Sequence, residues 1–472
     1  MHFGWDRNAR TARKTGRTIR TACGSGARAG LAGTLFLALS AQSSALAQQS
    51  ASEGALDAMA SNETGAARGS VGRPQGSSEL WAPFTVDALF TRKPEAPLGF
   101  QTAVGSFLVR GSATGELTYN ANLYAAPGAP RSGLYASATP EVRATSQWSR
   151  HSLEFFAGGE GRVYGAHDSD NQVNAFAGLN GIIDIYHDLR ALAHARCALE
   201  HEERGYGSSF LPFISPIQRD RCELEALVEK QFNRVWLNIG GSARSDSYDG
   251  AYLSEDSGAA LSDQSFRSGN SYEFIGRIGY ELRDDLSIFV ENSKNWHDYE
   301  NTSFSSHGYR LLGGIRFGAN AIMSAELAGG WLQEEFDSSA RTNVGAYSYR
   351  AQLTWRPDEL VSVAAVSERR LGEPSMFYGG SSTLITEAGL EAGYAWRPDV
   401  QLVSALGYAQ LDYVDRDQTD ELVRGRGSIN YQINLNVNLS VNYIHEQYLG
   451  RPSELAMDYG RDSITVGLTA HY

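Results

Sequence analysis

From Leu98 onward the chain repeats one pattern: apolar and polar residues alternate along each segment, and the connections between segments are alternately short and long. In NSYEFIGRIGYELRD, Tyr272, Phe274, Gly276, Ile278 and Tyr280 hold every second position. In SSHGYRLLGGIRFG, Tyr309, Leu311, Gly313, Ile315 and Phe317 do so, and over 349–355 so do Tyr349, Ala351, Leu353 and Trp355. Opposite them stand Glu273, Arg277, Glu281, Arg310, Arg316, Arg350, Gln352 and Thr354. A period of two puts the two sets on opposite faces of a strand. Short connections include YHD at 186–188, FNR at 232–234, LRDD at 282–285 and NLN at 434–436. Long ones include 204–220, 245–270, 292–305, 371–382 and 448–462.

Tight turns on one side, long loops on the other and strands of about ten residues are the pattern of a transmembrane β-barrel. After the first 47 residues no apolar run is long enough for a spanning helix, and lipid admits only helices and closed barrels. A soluble sandwich also alternates, but it needs neither the loop asymmetry nor aromatic residues at the ends of apolar faces. Tyr280, Phe317, Trp355, Trp396, Tyr431 and Tyr472 all lie beside short turns or at the chain end, as an interfacial girdle does. The expected fold is therefore all-β: a transmembrane antiparallel up-and-down barrel. The count is 18 strands, from 99–118 to 463–472, with 16 as the alternative. An even number returns both ends to the periplasm. The last segment, SITVGLTAHY, turns Ile464, Val466, Leu468, Ala470 and Tyr472 to lipid and its other face to a wet lumen.

The address agrees. Residues 1–47 carry Arg7, Arg10, Arg13, Lys14, Arg17, Arg20 and Arg28, then the apolar GLAGTLFLALSA and a small-x-small site at Ala45 and Ala47. This is the layout of a secretory signal peptide. Residues 48–97, rich in Ala, Ser and Gly, read as a flexible periplasmic lead-in, and residues 98–472 as the barrel. Of 41 basic and 54 acidic residues, seven and one lie in the signal, which leaves 34 against 53, a net charge of −19. So acidic a chain is a poor partner for nucleic acid. The expected location is the outer membrane of a Gram-negative bacterium, with lipid and lipopolysaccharide around the barrel. The loop bearing Asp246, Asp249, Glu255, Asp256 and Asp263 is either solvated or holds divalent cations near lipopolysaccharide.

The inner faces differ around the wall. Strand 16 contributes Arg424, Arg426, Ser428, Asn430 and Gln432; strand 17, Asn436, Asn438, Ser440 and Asn442; strand 18, Thr465, Thr469 and His471. Amides and hydroxyls both donate and accept, which suits sugars or water. Strands 5 and 6 are denser in charge, with Arg190, His194, Arg196 and Glu200 facing Glu223, Glu225 and Glu229. These groups either neutralise each other across the hairpin or form a selectivity constriction. If facing residues sum to 419, Cys197 meets Cys222. Two readings stay open there: a cross-strand bridge, or two small side chains on the lipid face. No catalytic, cofactor-binding or metal-ligating motif is present, so the chain reads as a non-enzyme without cofactors.

GSFLVRGSATGELTYNANLY, QWSRHSL, FNRVWLNIGGSARSDSYDG and INYQINLNVNLSVNYIHEQY, with RDSITVGLTAHY at the end, resemble the Putative beta-barrel porin 2 family of outer-membrane proteins. The resemblance implies an integral barrel folded by the barrel assembly machinery, which reads the terminal aromatic Tyr472. It also implies export of extracellular or capsular polysaccharide beside a periplasmic polysaccharide-export protein. Two other functions stand against it: a general diffusion porin for small polar solutes, and a non-conducting structural or adhesive barrel.

Overall fold

The structure, a computed structural model, describes residues 101–128, 130–165, 168–202, 215–252, 261–319, 322–372, 382–451 and 458–472. The expected signal peptide and lead-in lie outside them. Eighteen strands form the wall: β1 (Phe107–Asn120), β2 (Gly133–Ser146), β3 (His151–Tyr164), β4 (Gln172–Tyr186), β5 (Leu189–His201) and β6 (Gln218–Phe232). Then come β7 (Val235–Tyr248), β8 (Gly269–Arg283), β9 (Leu286–Tyr299), β10 (Ser306–Ala319), β11 (Met323–Phe336) and β12 (Val344–Trp355). The last six are β13 (Val361–Gly372), β14 (Thr383–Arg397), β15 (Val400–Tyr413), β16 (Thr419–Asn434), β17 (Val437–Arg451) and β18 (Tyr459–His471). Each pairs antiparallel with its sequence neighbours, and β18 pairs with β1 from Ser463↔Asn120 to His471↔Ser112. The sheet is closed and has no free edge.

The short turns follow from their residues. Between β6 and β7 only 233–234 separate the strands, and Asn233 sits at φ 55°, a conformation that asparagine tolerates and a two-residue hairpin requires. The first strand starts later than its expected residue 99. Residues Thr102–Val104 fold back on Phe107–Val109 instead, turning at Gly105 with φ 62°. A left-handed glycine there ends the extended run that alternation alone suggested.

The outer face is apolar and uncovered, with Ile278, Leu311, Leu327, Leu406 and Val466 all exposed. The inner face carries a second device. Trp236 lies flat over its cross-strand partner Gly279, where a Cβ would come within 2.2 Å of the indole. Phe289 covers Gly314, Phe156 covers Gly178 and Phe176 covers Gly158 in the same way. Glycine at these positions gives the ring its bed, so a bulky ring fits the concave side of a curved wall.

At the long-loop end the segment after β1 turns inward. Ala125 packs with Tyr413, Leu422, Tyr448 and Tyr459. Asn122 donates from its amide to the carbonyl of Gly460 at 3.2 Å, and the Tyr124 hydroxyl donates to Asp170 at 2.6 Å. Closure itself is testable. The hydroxyls of Thr118 and Thr465 stand 2.8 Å apart across the β1–β18 seam. A Thr118→Cys/Thr465→Cys chain is expected to cross-link under mild oxidation, seen as altered migration of the denatured chain on a non-reducing gel. An open sheet would leave both thiols free to alkylation.

Candidate functional site, the lumen wall

Two stretches of the inner wall differ in chemistry. The first is an arc from β8 to β13. Arg277 on β8 places Nε 3.0 Å from Glu291 and donates from Nη2 to Glu326 at 2.6 Å. Arg350 on β12 donates to the same two carboxylates, at 3.0 Å to Glu291 and 3.1 Å to Glu326. Arg316 adds a bond to Glu326 at 3.2 Å, and Arg310 on β10 reaches Glu368 on β13 at 2.9 Å. The bonds from Arg277 to Glu326, Arg350 to Glu291 and Arg310 to Glu368 each pass over two intervening strands. Neighbouring strands lie about 4.8 Å apart, so each bond ties the wall together across three strand intervals.

Aromatic rings support the cations. The Arg277 guanidinium sits 3.9 Å from the Phe289 ring centre, and that of Arg316 sits 4.7 Å from Trp236. Arg277 and Arg350 are each 1% exposed and Glu291 2%. Charges so far from water persist only when fully paired. This arc is a structural lock whose charges are spent on one another.

The second stretch is a neutral panel that crosses the seam from β16 through β17, β18 and β1 to β2. One row runs Gln432, Asn438, Thr469, Thr114, Thr139. A second runs Asn430, Ser440, Gly467, Glu116, Ser137, and a third Ser428, Asn442, Thr465, Thr118, Tyr135. Apart from Glu116 the panel holds only amides, hydroxyls and one glycine. Thr114 and Thr469 share a hydroxyl bond at 3.0 Å, while both amide atoms of Asn430 have no partner. Above the panel, toward the long loops, Arg424 and Arg461 donate to Glu446 at 2.7 and 2.9 Å, and the Tyr459 hydroxyl donates to it at 2.6 Å.

The residues singled out in the sequence lie on the inner face but on separate stretches of it. On β5 and β6, Arg190 donates to Glu229 at 2.6 Å and Arg196 lies 2.8 Å from Glu200 and 4.0 Å from Glu223. His194 is buried, stacks on Phe156 and shares a 2.7 Å hydrogen bond with Asn180; Glu225 is buried beside it in register. These charges engage one another within the hairpin. Asn430, Gln432, Asn438, Asn442, Thr465 and Thr469 belong to the panel, Arg424 stands above it on Glu446, and Arg426 donates to Ser428 at 2.8 Å. Cys197 and Cys222 are directly paired, and their sulfurs are bonded on the exposed outer face of β5 and β6.

Sequence reasoning placed Arg277, Arg310, Arg316 and Arg350 on a polar face and gave them no site. Their partners Glu291, Glu326 and Glu368 went unnamed. The signal that was there is Arg and Glu at inward positions of successive strands. Among the described residues no group of His, Cys, Asp and Glu is placed to hold a metal ion.

The lock makes a stability prediction. Arg350→Met leaves Glu291 and Glu326 short of a buried partner and is expected to cost about 3–5 kcal/mol. Arg190→Gln, at a half-exposed pair, is expected to cost about 1 kcal/mol or less. Urea unfolding of the detergent-folded protein, followed by heat-modifiable gel mobility, reads both. Equal small effects would contradict the lock.

A family profile, Putative beta-barrel porin 2, matches residues 93–472. Solved structures similar to the chain include Acinetobacter baumannii OccAB4, at 10% identity and a TM-score of 0.41, covering 77% of this chain and 98% of that one. Pseudomonas aeruginosa OpdK, solved with vanillate, is similar at 8% identity and a TM-score of 0.43, covering 77% and 99%. The copper transporter OprC is similar at 10% identity and a TM-score of 0.42, covering 81% and 82%. No curated protein matches the chain.

Proposed function

The chain belongs to the Putative beta-barrel porin 2 family, and on that premise we propose that it is an outer-membrane channel through which extracellular or capsular polysaccharide leaves the cell. The observation that carries this reading is the neutral panel. Three rows of amides and hydroxyls run along the wall from β16 to β2, with a single carboxylate among them. A polyhydroxylated chain can exchange hydrogen bonds along such a surface one ring at a time. Contacts of this kind are weak and replaceable, and conduction requires release as well as capture. A wall of unpaired charge would hold ions or charged solutes instead. Here the charges of the β8–β13 arc are consumed within the wall.

In this reading the short turns face the periplasm, where a polysaccharide-export protein delivers the chain. Lipid and lipopolysaccharide surround the barrel, and the barrel assembly machinery inserts it. The protein performs no bond chemistry; it supplies a wet path through hydrocarbon.

A deletion strain is expected to lose most of one secreted or capsular glycan, with material retained in the periplasm and export restored by the gene in trans. Normal amounts of every surface glycan would sink the proposal. Liposome swelling by small sugars beside normal glycan export would assign a general diffusion porin. Absence of conductance in planar bilayers beside normal export would leave a structural barrel.

A further inference from the structure

The membrane-facing side of the wall carries two cations that no described residue neutralises. On β9 the outward positions run Ile288, Val290, Asn292, Lys294 from the short-turn end. On β13 they run Val363, Ala365, Ser367, Arg369. Both runs begin apolar, pass through one small polar residue and reach a cation in the half nearest the long connections. An ionised side chain facing hydrocarbon is expensive, and its counter-charge has to come from somewhere.

Each cation is held by an aromatic ring. The Arg369 guanidinium stands 4.5 Å from the Tyr347 ring centre, and the Lys294 ammonium 5.0 Å from Trp296. Arg369 donates from Nη1 to Thr386 Oγ1 at 2.5 Å, while its Nε has no partner. Neither cation makes an ion pair with a described residue. Between them the hydroxyl of Tyr309, the cross-strand partner of Lys294, donates to Gln333 at 3.1 Å. The result is a polar belt on the outside of β9–β13 at the level where an apolar band gives way to headgroups. The rings fix the cations there without discharging them.

We propose that Lys294 and Arg369 bind phosphate groups of lipid in the outer leaflet, with lipid A as the occupant. A phosphate monoester brings more negative charge and more acceptor oxygens than a phospholipid diester. A planar guanidinium, with several N–H donors, suits it. The belt lies toward the long connections, which in this placement face outward, the side where lipopolysaccharide resides. The inference rests on the membrane placement of the barrel and not on what passes through it.

Native mass spectrometry of the full-length protein folded in mild detergent tests it, with three probes: bisphosphorylated lipid A, lipid A stripped of both phosphates, and phosphatidylglycerol. The bisphosphorylated form is expected to bind, and the other two at least about tenfold more weakly. The double variant K294Q/R369Q is expected to lose about tenfold in lipid A binding while keeping heat-modifiable mobility. K294R/R369K is expected to keep most of it. K294Q alone, at an exposed position, leaves the fold intact and is expected to weaken binding by itself. Wild-type binding in the double variant, or equal binding of the dephosphorylated lipid, would overturn the proposal. Phosphatidylglycerol binding as tightly as lipid A would overturn the assignment of the occupant.

Discussion

A backbone N–H or C=O that faces hydrocarbon without a partner costs several kcal/mol, by order of magnitude. A sheet in lipid therefore has to close. Here closure is made by β18 against β1, the last wall strand against the first, from Ser463↔Asn120 to His471↔Ser112. That pairing separates an inside from an outside. Once it exists, a sequence period of two becomes two environments: Ile464, Val466 and Leu468 outward, Thr465 and Thr469 inward.

The inside is then divided by charge. From β8 to β13 long side chains cross over intervening strands to pair, and glycines beneath Trp236 and Phe289 let rings lie against the wall. Such pairing adds little net stability over an apolar interior, but each member becomes costly to remove. Its effect is to tie strands of the wall together and to engage Arg277, Arg310, Arg316 and Arg350 with Glu291, Glu326 and Glu368 rather than with a passing solute. From β16 to β2 three rows of short side chains are neutral apart from Glu116, with Arg424, Arg461 and Glu446 above them toward the long loops, and those rows are where a neutral hydrophilic cargo would travel.

Much of this was legible in the sequence because it is local. Alternation, turn length and end-of-strand aromatics depend on neighbours along the chain, and 18 strands follow from them. The β5–β6 register was legible too: the short turns at 187–188 and 233–234 bring the start of β5 and the end of β6 to one level, and Leu189↔Lys230 through Cys197↔Cys222 obey the same sum. What stayed hidden depends on residues several strands apart. Arg277 meets Glu326 only because the wall curves, and nothing within either strand reports that curvature. The bend at Gly105 was hidden for the opposite reason, since one left-handed glycine interrupts a run that otherwise alternates well. Lys294 and Arg369 were passed over because a single polar residue on an apolar face looks like the end of a strand.

Thiol accessibility along β18 tests the two-environment account most directly. Single cysteines at Thr465, Val466, Leu468 and Thr469 can be placed in the full-length protein and reconstituted in liposomes. The native Cys197 and Cys222 are already bonded and stay silent, and Cys23, within the expected signal peptide, is replaced by Ser in every variant. A small charged thiol reagent is expected to modify the cysteines at 465 and 469 readily and those at 466 and 468 far more slowly. Equal reaction at all four positions, or faster reaction at 466 and 468, would contradict it.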